Sequence, residues 1–286
     1  MEPDTSRAGQ QIGEMDVALC RATLYNALAL GFRPPEEETI TRLCSKDGSA
    51  ALAAAAAILD PDRESGLAAA CSLLTARSSW FDPSASLRTG RLTMTLSGIE
   101  GSLLTLTESH RRLFGHSARG AVPPYETEYG AEALFQQPQE MGDLMGFYNA
   151  FGLALNGRQH ERADHVSCEC EFLCFLALKE AYALEHGDDS MLEETRKAER
   201  LFLRDHLARF LPAFAKKLVR EDAGGLYGFL GGVGYGFIVL ECARFSVRLG
   251  PENLTLRPAD DERVPMACGS GECPAMPGVS ELDETE

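Results

Sequence analysis

A chain of 286 residues with 44% hydrophobic content is long enough to bury one sizeable core, so a single domain with ragged ends is expected. Its formal charge of −16, from 27 basic against 43 acidic residues, argues against nucleic acid as a partner, because phosphate binding needs a basic face; a cationic partner is the natural counterpart. Nine cysteines, an odd number scattered through helical patterns, read as reduced thiols rather than a disulfide framework.

Met1 to Gly13 is polar and without an apolar run, so neither a signal nor a transit peptide is expected and the cytoplasm is the expected compartment. From Asp16 to Leu30 the apolar positions Val17, Cys20, Leu24, Tyr25 and Leu28 repeat at helical spacing, stopped by Gly31 and Pro34-Pro35. Pro35-Glu36-Glu37-Glu38 opens a second helix, with proline and acids where the helix dipole favours them. Ala50 to Ala57 and Leu67 to Ala76 are two more by propensity, separated at Asp60-Pro61. Ser78 to Gly98 is irregular and reads as a loop or crossover, with helix resuming near Ile99 and ending at Gly115. The stretch Val122 to Gly130, with two prolines, Tyr125, Glu126, Glu128 and Tyr129, is a dense polar and aromatic loop of the residue types that contact a cationic, partly apolar peptide; an ordinary proline-rich connection reads equally. Helices are then expected over Gln139 to Leu155, Asp164 to His186, Met191 to Val219 with a break at Pro212, and Leu226 to Leu249. Ala223 to Leu240 carries no charge and has the length of a membrane span, but seven glycines and the following Glu241 and Arg244 point to a closely packed core helix.

The whole reads as an all-α, single-domain bundle of about ten helices. It comprises a flexible N-terminus over 1–15, a helical domain over 16–250 and an acidic tail over 251–286. The tail has two basic and nine acidic residues and no apolar period, so it is expected to be disordered or loosely docked. Its Cys268 and Cys273, with four residues between them, could form a redox-sensitive pair or clip a metal.

The chemistry-bearing stretch is Glu161-Arg162-Ala163-Asp164-His165, four ionisable groups ahead of a well-patterned helix. Asp164 is a natural N-cap, and Glu161 and His165 stand four apart, one helical face if the turn reaches back that far. A capped helix start, a site for a cationic ligand, acid–base chemistry with His165 titrating near neutrality, and a metal site using His165 and Cys168 are all compatible with that spacing. Geometry weakens the last two. On a helix Cys168 points nearly opposite to Cys170, and Cys174 shares the Cys170 face, which leaves incomplete ligand pairs. Adjacent Asp164, His165 and Ser167 diverge rather than converge as a hydrolytic triad must. Neither a dinucleotide fingerprint nor a Walker lysine occurs.

These residues resemble the TorD/DmsD/NarJ superfamily of molybdoenzyme maturation chaperones, closest to its TorD-like branch. The family signature Glu-(Pro)-x-Asp-His falls on Glu161, Asp164 and His165, with Arg162 at the usual proline position, a departure expected to loosen the backbone there. A second signature, aromatic-x-x-Leu-Phe, falls partially on His110-Arg111-Arg112-Leu113-Phe114. The segments Pro123 to Tyr129, Phe147 to Leu153 and Phe202 to Pro212 are similar in order and spacing. The resemblance implies a cytoplasmic, non-enzymatic chaperone that carries no cofactor of its own. Such a chaperone binds the twin-arginine leader or the apo form of a molybdopterin-containing catalytic subunit and assists insertion of the client's molybdopterin guanine dinucleotide before export. Glu161, Asp164, Glu126 and Glu128 are then the expected partners of the leader's arginines, with Tyr125 and Tyr129 as aromatic contacts and His165 shaping the loop and lending pH sensitivity. A monomer or a domain-swapped dimer hinged in Ser78 to Gly98 is expected, with no stable membrane insertion. The competing reading is a helical metal-binding or redox-sensing protein using His165 and Cys168, or Cys268 and Cys273.

Overall fold

The computed structural model describes residues 13–77, 95–115, 119–130, 136–156 and 161–257. Among these the chain forms ten α-helices and no strands: α1 (Glu14–Gly31), α2 (Glu37–Cys44), α3 (Lys46–Leu59), α4 (Leu67–Arg77), α5 (Thr95–Phe114), α6 (Gln136–Ala150), α7 (Val166–His186), α8 (Asp189–Asp205), α9 (Leu207–Glu221) and α10 (Leu226–Phe245). A 3-10 turn, Glu126–Glu128, lies in the long connection between α5 and α6. The all-α bundle expected from periodicity is the architecture found.

Local departures have local causes. Helix α5 begins at Thr95, four residues before Ile99, so the end of the supposed crossover is helical; residues 78–94, and with them the proposed hinge, lie outside the described residues. Helix α6 stops at Ala150 rather than Leu155 because Gly152 takes φ 70°, a left-handed turn that bends the chain away. The break between α8 and α9 falls at His206, not at Pro212, which sits inside α9. A proline there has no N–H for the Ala208 carbonyl, and the Gly250 N–H donates to that carbonyl instead at 2.9 Å. The bond also fastens residues 250–257, which continue the domain beyond position 250. The Gly130 N–H donates to Thr255 O, the Arg257 N–H donates to Glu128 O, each at 2.9 Å, and Leu254 and Leu256 pack on the core. The rest of the acidic tail, with Cys268 and Cys273, lies outside the described residues.

The core is one contiguous cluster. Helix α1 lies along α7, α9 along α10, and α4 against α10. Leu24, Tyr25, Leu28 and Phe32 meet Leu173, Leu176, Phe210, Phe214 and Phe237 in that cluster, all fully buried. Each such side chain contributes roughly 1.5–3 kcal/mol by leaving water. Helix α10 is the one described helix with the length and hydropathy of a membrane span, yet it is packed as core. A Cβ on Gly236 would lie 2.8 Å from Leu67 N, so the glycine lets α4 approach the backbone of α10 directly.

Candidate functional site: a knuckle between two clefts

The two polar stretches singled out in the sequence are neighbours in space. Segment Pro124–Glu126 runs antiparallel to Asp164–Val166: the Glu126 N–H donates to Asp164 O at 2.9 Å, and the Val166 N–H to Pro124 O at 2.8 Å. Both segments need these bonds, because neither has a helix or sheet to satisfy its backbone.

Inside this junction Asp164 is wholly buried and fully engaged. Its carboxylate receives a fork from Arg162, at 2.9 Å from Nε and 2.7 Å from Nη2, together with the Thr127 hydroxyl at 2.7 Å. The Arg162 guanidinium also donates to Thr127 Oγ1 at 2.7 Å and lies over the Tyr125 ring, 4.4 Å from its centroid. Arg162 therefore pins the knuckle; the loosening expected from the missing proline is not what the structure shows.

The helix cap is His165, not Asp164. Its Nδ1 accepts the Ser167 N–H at 3.1 Å and lies 2.6 Å from Ser167 Oγ. Burial, with the charges of His110, Arg33 and Arg162 adding, pushes His165 down to about 3, so the ring is neutral near pH 7 and the expected pH sensitivity has no basis in it. Glu161 reaches it at 3.8 Å through a turn rather than a helix. Burial raises the Glu161 carboxyl, and nearby Arg33 opposes that rise. His110 is likewise buried and pushed down to about 4, its Nε2 3.4 Å from Phe32 O.

The remaining candidates divide between two sides. Glu161 borders a cleft of about 390 Å³ whose other walls are Arg33, Leu153, Glu171, Phe172 and Phe175, with Tyr148 and Cys168 beside them. Tyr125 is half-buried, its ring edge-on to His165 at 5.3 Å between centroids. Glu126 and Tyr129 face a second cleft of about 620 Å³, bordered by Glu140, Arg204, Arg209 and Arg248. Glu126 is buried with His206 Nδ1 3.1 Å away, and Tyr129 donates to Pro123 O at 2.9 Å. Glu128 pairs with Arg119 at 3.1 Å. Behind the knuckle Glu169 is fully buried; neither oxygen has a hydrogen-bond partner among the described residues. Burial, with the Glu126 and Asp164 charges adding, pushes its carboxyl well above the usual carboxylate range.

Arg33, Glu171, Phe172 and Phe175 escaped the sequence reading. For three of them a signal existed: Cys168, Glu171, Phe172 and Phe175 repeat at helical spacing along one face of α7, starting from the knuckle. Arg33 comes from the far end of α1, and no local pattern connects it with Glu171. The metal-ligand geometry of the competing reading is not assembled, since no three His, Cys, Asp or Glu converge among the described residues. Burial raises the Cys168 thiol to about 12, so it is a poor thiolate.

Fold and knuckle together define a class: an all-α bundle whose polar junction is spent on its own structure and borders an apolar, acid-rimmed cleft. Residues 84–216, which contain the junction, match the family model described as nitrate reductase delta subunit. The chain is 30% identical over 145 residues to the chaperone protein TorD of Vibrio cholerae, covering 50% of this chain and 63% of the relative. It is 40% identical over 81 residues to the selenate reductase assembly chaperone protein of Thauera selenatis, 28% of this chain and 41% of the relative. It is 38% identical over 102 residues to the chlorate reductase assembly chaperone protein of Ideonella dechloratans, 35% and 49% respectively. The chain thus covers less than two thirds of the length of each of these relatives, and no solved structure matches it. Residues 84–216 thus resemble the nitrate reductase delta subunit family, and the chain is similar in part to TorD and to reductase assembly chaperones.

Proposed function

We propose that the protein is a cytoplasmic, system-specific chaperone that holds the twin-arginine leader or apo form of a molybdopterin-containing reductase catalytic subunit while the client's cofactor is inserted. The relatives' names support the class of client: TorD, and assembly chaperones of selenate and chlorate reductases. The observation that carries the reading is the cleft beside the knuckle, with the carboxylates of Glu161 and Glu171 on its rim and Leu153, Phe172 and Phe175 in its wall. A twin-arginine leader is a cationic segment followed by an apolar one, complementary to that order of charge and grease. Glu161 and Glu171 are the carboxylates placed to meet an arginine fork, Tyr125 and Glu128 flank the junction, and Asp164 and His165 hold its shape. Glu126 and Tyr129 belong to the opposite cleft and bear on the client only if it wraps the knuckle. The protein performs no chemical step, and the molybdenum cofactor belongs to the client.

The test is calorimetric titration with the leader of a neighbouring molybdoenzyme gene, beside the same peptide with both arginines changed to glutamine. Micromolar or tighter binding is expected, weakened about tenfold by the altered peptide and by Glu161→Gln, the loss typical of one charged hydrogen bond. Binding that ignores both changes would remove Glu161 from the site. Binding to no leader would leave the mature catalytic subunit as the client to test.

A further inference from the structure

The cleft beside the knuckle already contains a guanidinium. Arg33, just beyond the C-terminal end of α1, extends into it and is hydrogen-bonded through Nη2 to Glu171 Oε2. The same charge is felt by Glu161 and Cys168, which line that space, and by His165 of the knuckle. Arg33 is about a quarter exposed and Glu171 is mostly exposed, so the pair is reachable from solvent and is screened rather than locked in the core. Arg21, by contrast, an arginine within α1 among carboxylates, is sealed at 0% exposure. With Arg33 in place the described lining of the cleft carries one cation against two carboxylates; with it swung out, two carboxylates remain above an apolar wall with no cation among the described residues that border them.

We propose that Arg33 is an intramolecular placeholder: its guanidinium occupies the carboxylate position that a client arginine takes, and binding exchanges one arginine for the other. This rests on the leader-binding reading. It goes beyond it by naming the ligand chemistry, a guanidinium followed by an apolar segment, and the residue that sets affinity by competition. Exchange leaves Glu171 paired with a guanidinium in either state, and the resting chain is protected from adventitious cations. A residue lining a site usually weakens binding when removed. A placeholder does the opposite.

The experiment compares the native chain with Arg33→Gln and with Arg220→Gln, which removes the same charge from the exposed end of α9, all shown to melt within a few degrees of one another. Each is titrated with the arginine leader, with its double-glutamine version, and with acetyl-Arg-Arg-amide as a minimal guanidinium probe. Arg33→Gln is expected to tighten the arginine leader about three- to fivefold, the worth of a screened ion pair no longer broken, and to leave the glutamine version unchanged. Arg220→Gln is expected to change neither. If the leader binds the native chain and Arg33→Gln leaves that binding equal or weaker, or if Arg220→Gln tightens it as much, the placeholder is overturned while the leader reading stands. If the leader binds neither form but the dipeptide binds Arg33→Gln better than the native chain, the guanidinium site stands and the leader reading falls. Binding of neither ligand to either form overturns both.

Discussion

His165 serves the knuckle as a helix cap. Its ring caps α7 through Nδ1 and is too buried to take a proton near neutrality. In the unfolded chain a histidine titrates near 6.5, so below that pH the unfolded state binds a proton that the folded state refuses until about 3. The stability this neutral ring preserves is complete above pH 6.5 and is lost progressively as pH falls toward 3; His110, held down to about 4, loses its share over a similar window. His165→Asn retains a capping acceptor and removes the titration. Its melting temperature should therefore fall less steeply than that of the native chain between pH 7 and 5, a difference of about 2 kcal/mol at pH 5. Parallel curves would mean that the ring is accessible to protons in the folded state. At this scale the sequence was partly legible. The motif located the knuckle, and the capping role was expected of Asp164, one position early. A local pattern cannot tell which of two adjacent polar side chains faces the helix and which faces Arg162.

Between elements, the main polar tie is one that no local pattern announced. Arg21 of α1 is fully buried and donates to Glu199 of α8 at 2.8 Å, to Glu241 of α10 at 2.8 Å and to Glu180 of α7. Tyr25, one turn further along α1, donates to Glu241 at 2.7 Å, and Arg196 reaches Glu180 from the rim at 2.7 Å. Burial raises Glu199 to about 8 against the pull of Arg21, which spares the interior one of its three negative charges near pH 7. Four helices are thereby fixed in one register around a single guanidinium. Arg21→Met keeps most of the volume and abandons the carboxylates, so it should cost about 3–5 kcal/mol in urea denaturation. A loss under 1 kcal/mol would show that the acids re-protonate or find water at little expense. In sequence Arg21 is one charge in an amphipathic helix, and its partners lie more than 150 residues away.

At the scale of the molecule, the charge of −16 sets a long-range field, and in the proposed reading the cleft sets the contact. Raising ionic strength from about 50 to 500 mM should slow association with the cationic leader by about tenfold and change its dissociation much less, because salt screens steering over distances beyond a few ångströms but not a partly enclosed fork. Stopped-flow traces that show the loss in dissociation instead would place the dominant electrostatics inside the cleft. The same scale decided the nature of α10. Its length and hydropathy fit a membrane span, but the close approach of Leu67 to Gly236 makes it a helix shaped to receive a neighbour.

By itself the sequence determined the helices and their order, since the 3.6-residue period and the Gly, Pro and capping signals act within a few residues. It also determined the acidic net charge and, through Glu161, Asp164 and His165, marked a dense polar stretch ahead of a helix. Only the tertiary structure decided that Asp164 and Glu126 face inward and Glu161 faces a cleft, that Val122 to Gly130 pairs with the knuckle, and that Arg33 reaches Glu171 across 138 positions. The physical reason is common to all of these: whether a charged side chain meets solvent or a partner depends on elements packed from distant parts of the chain, and local periodicity carries no information about them.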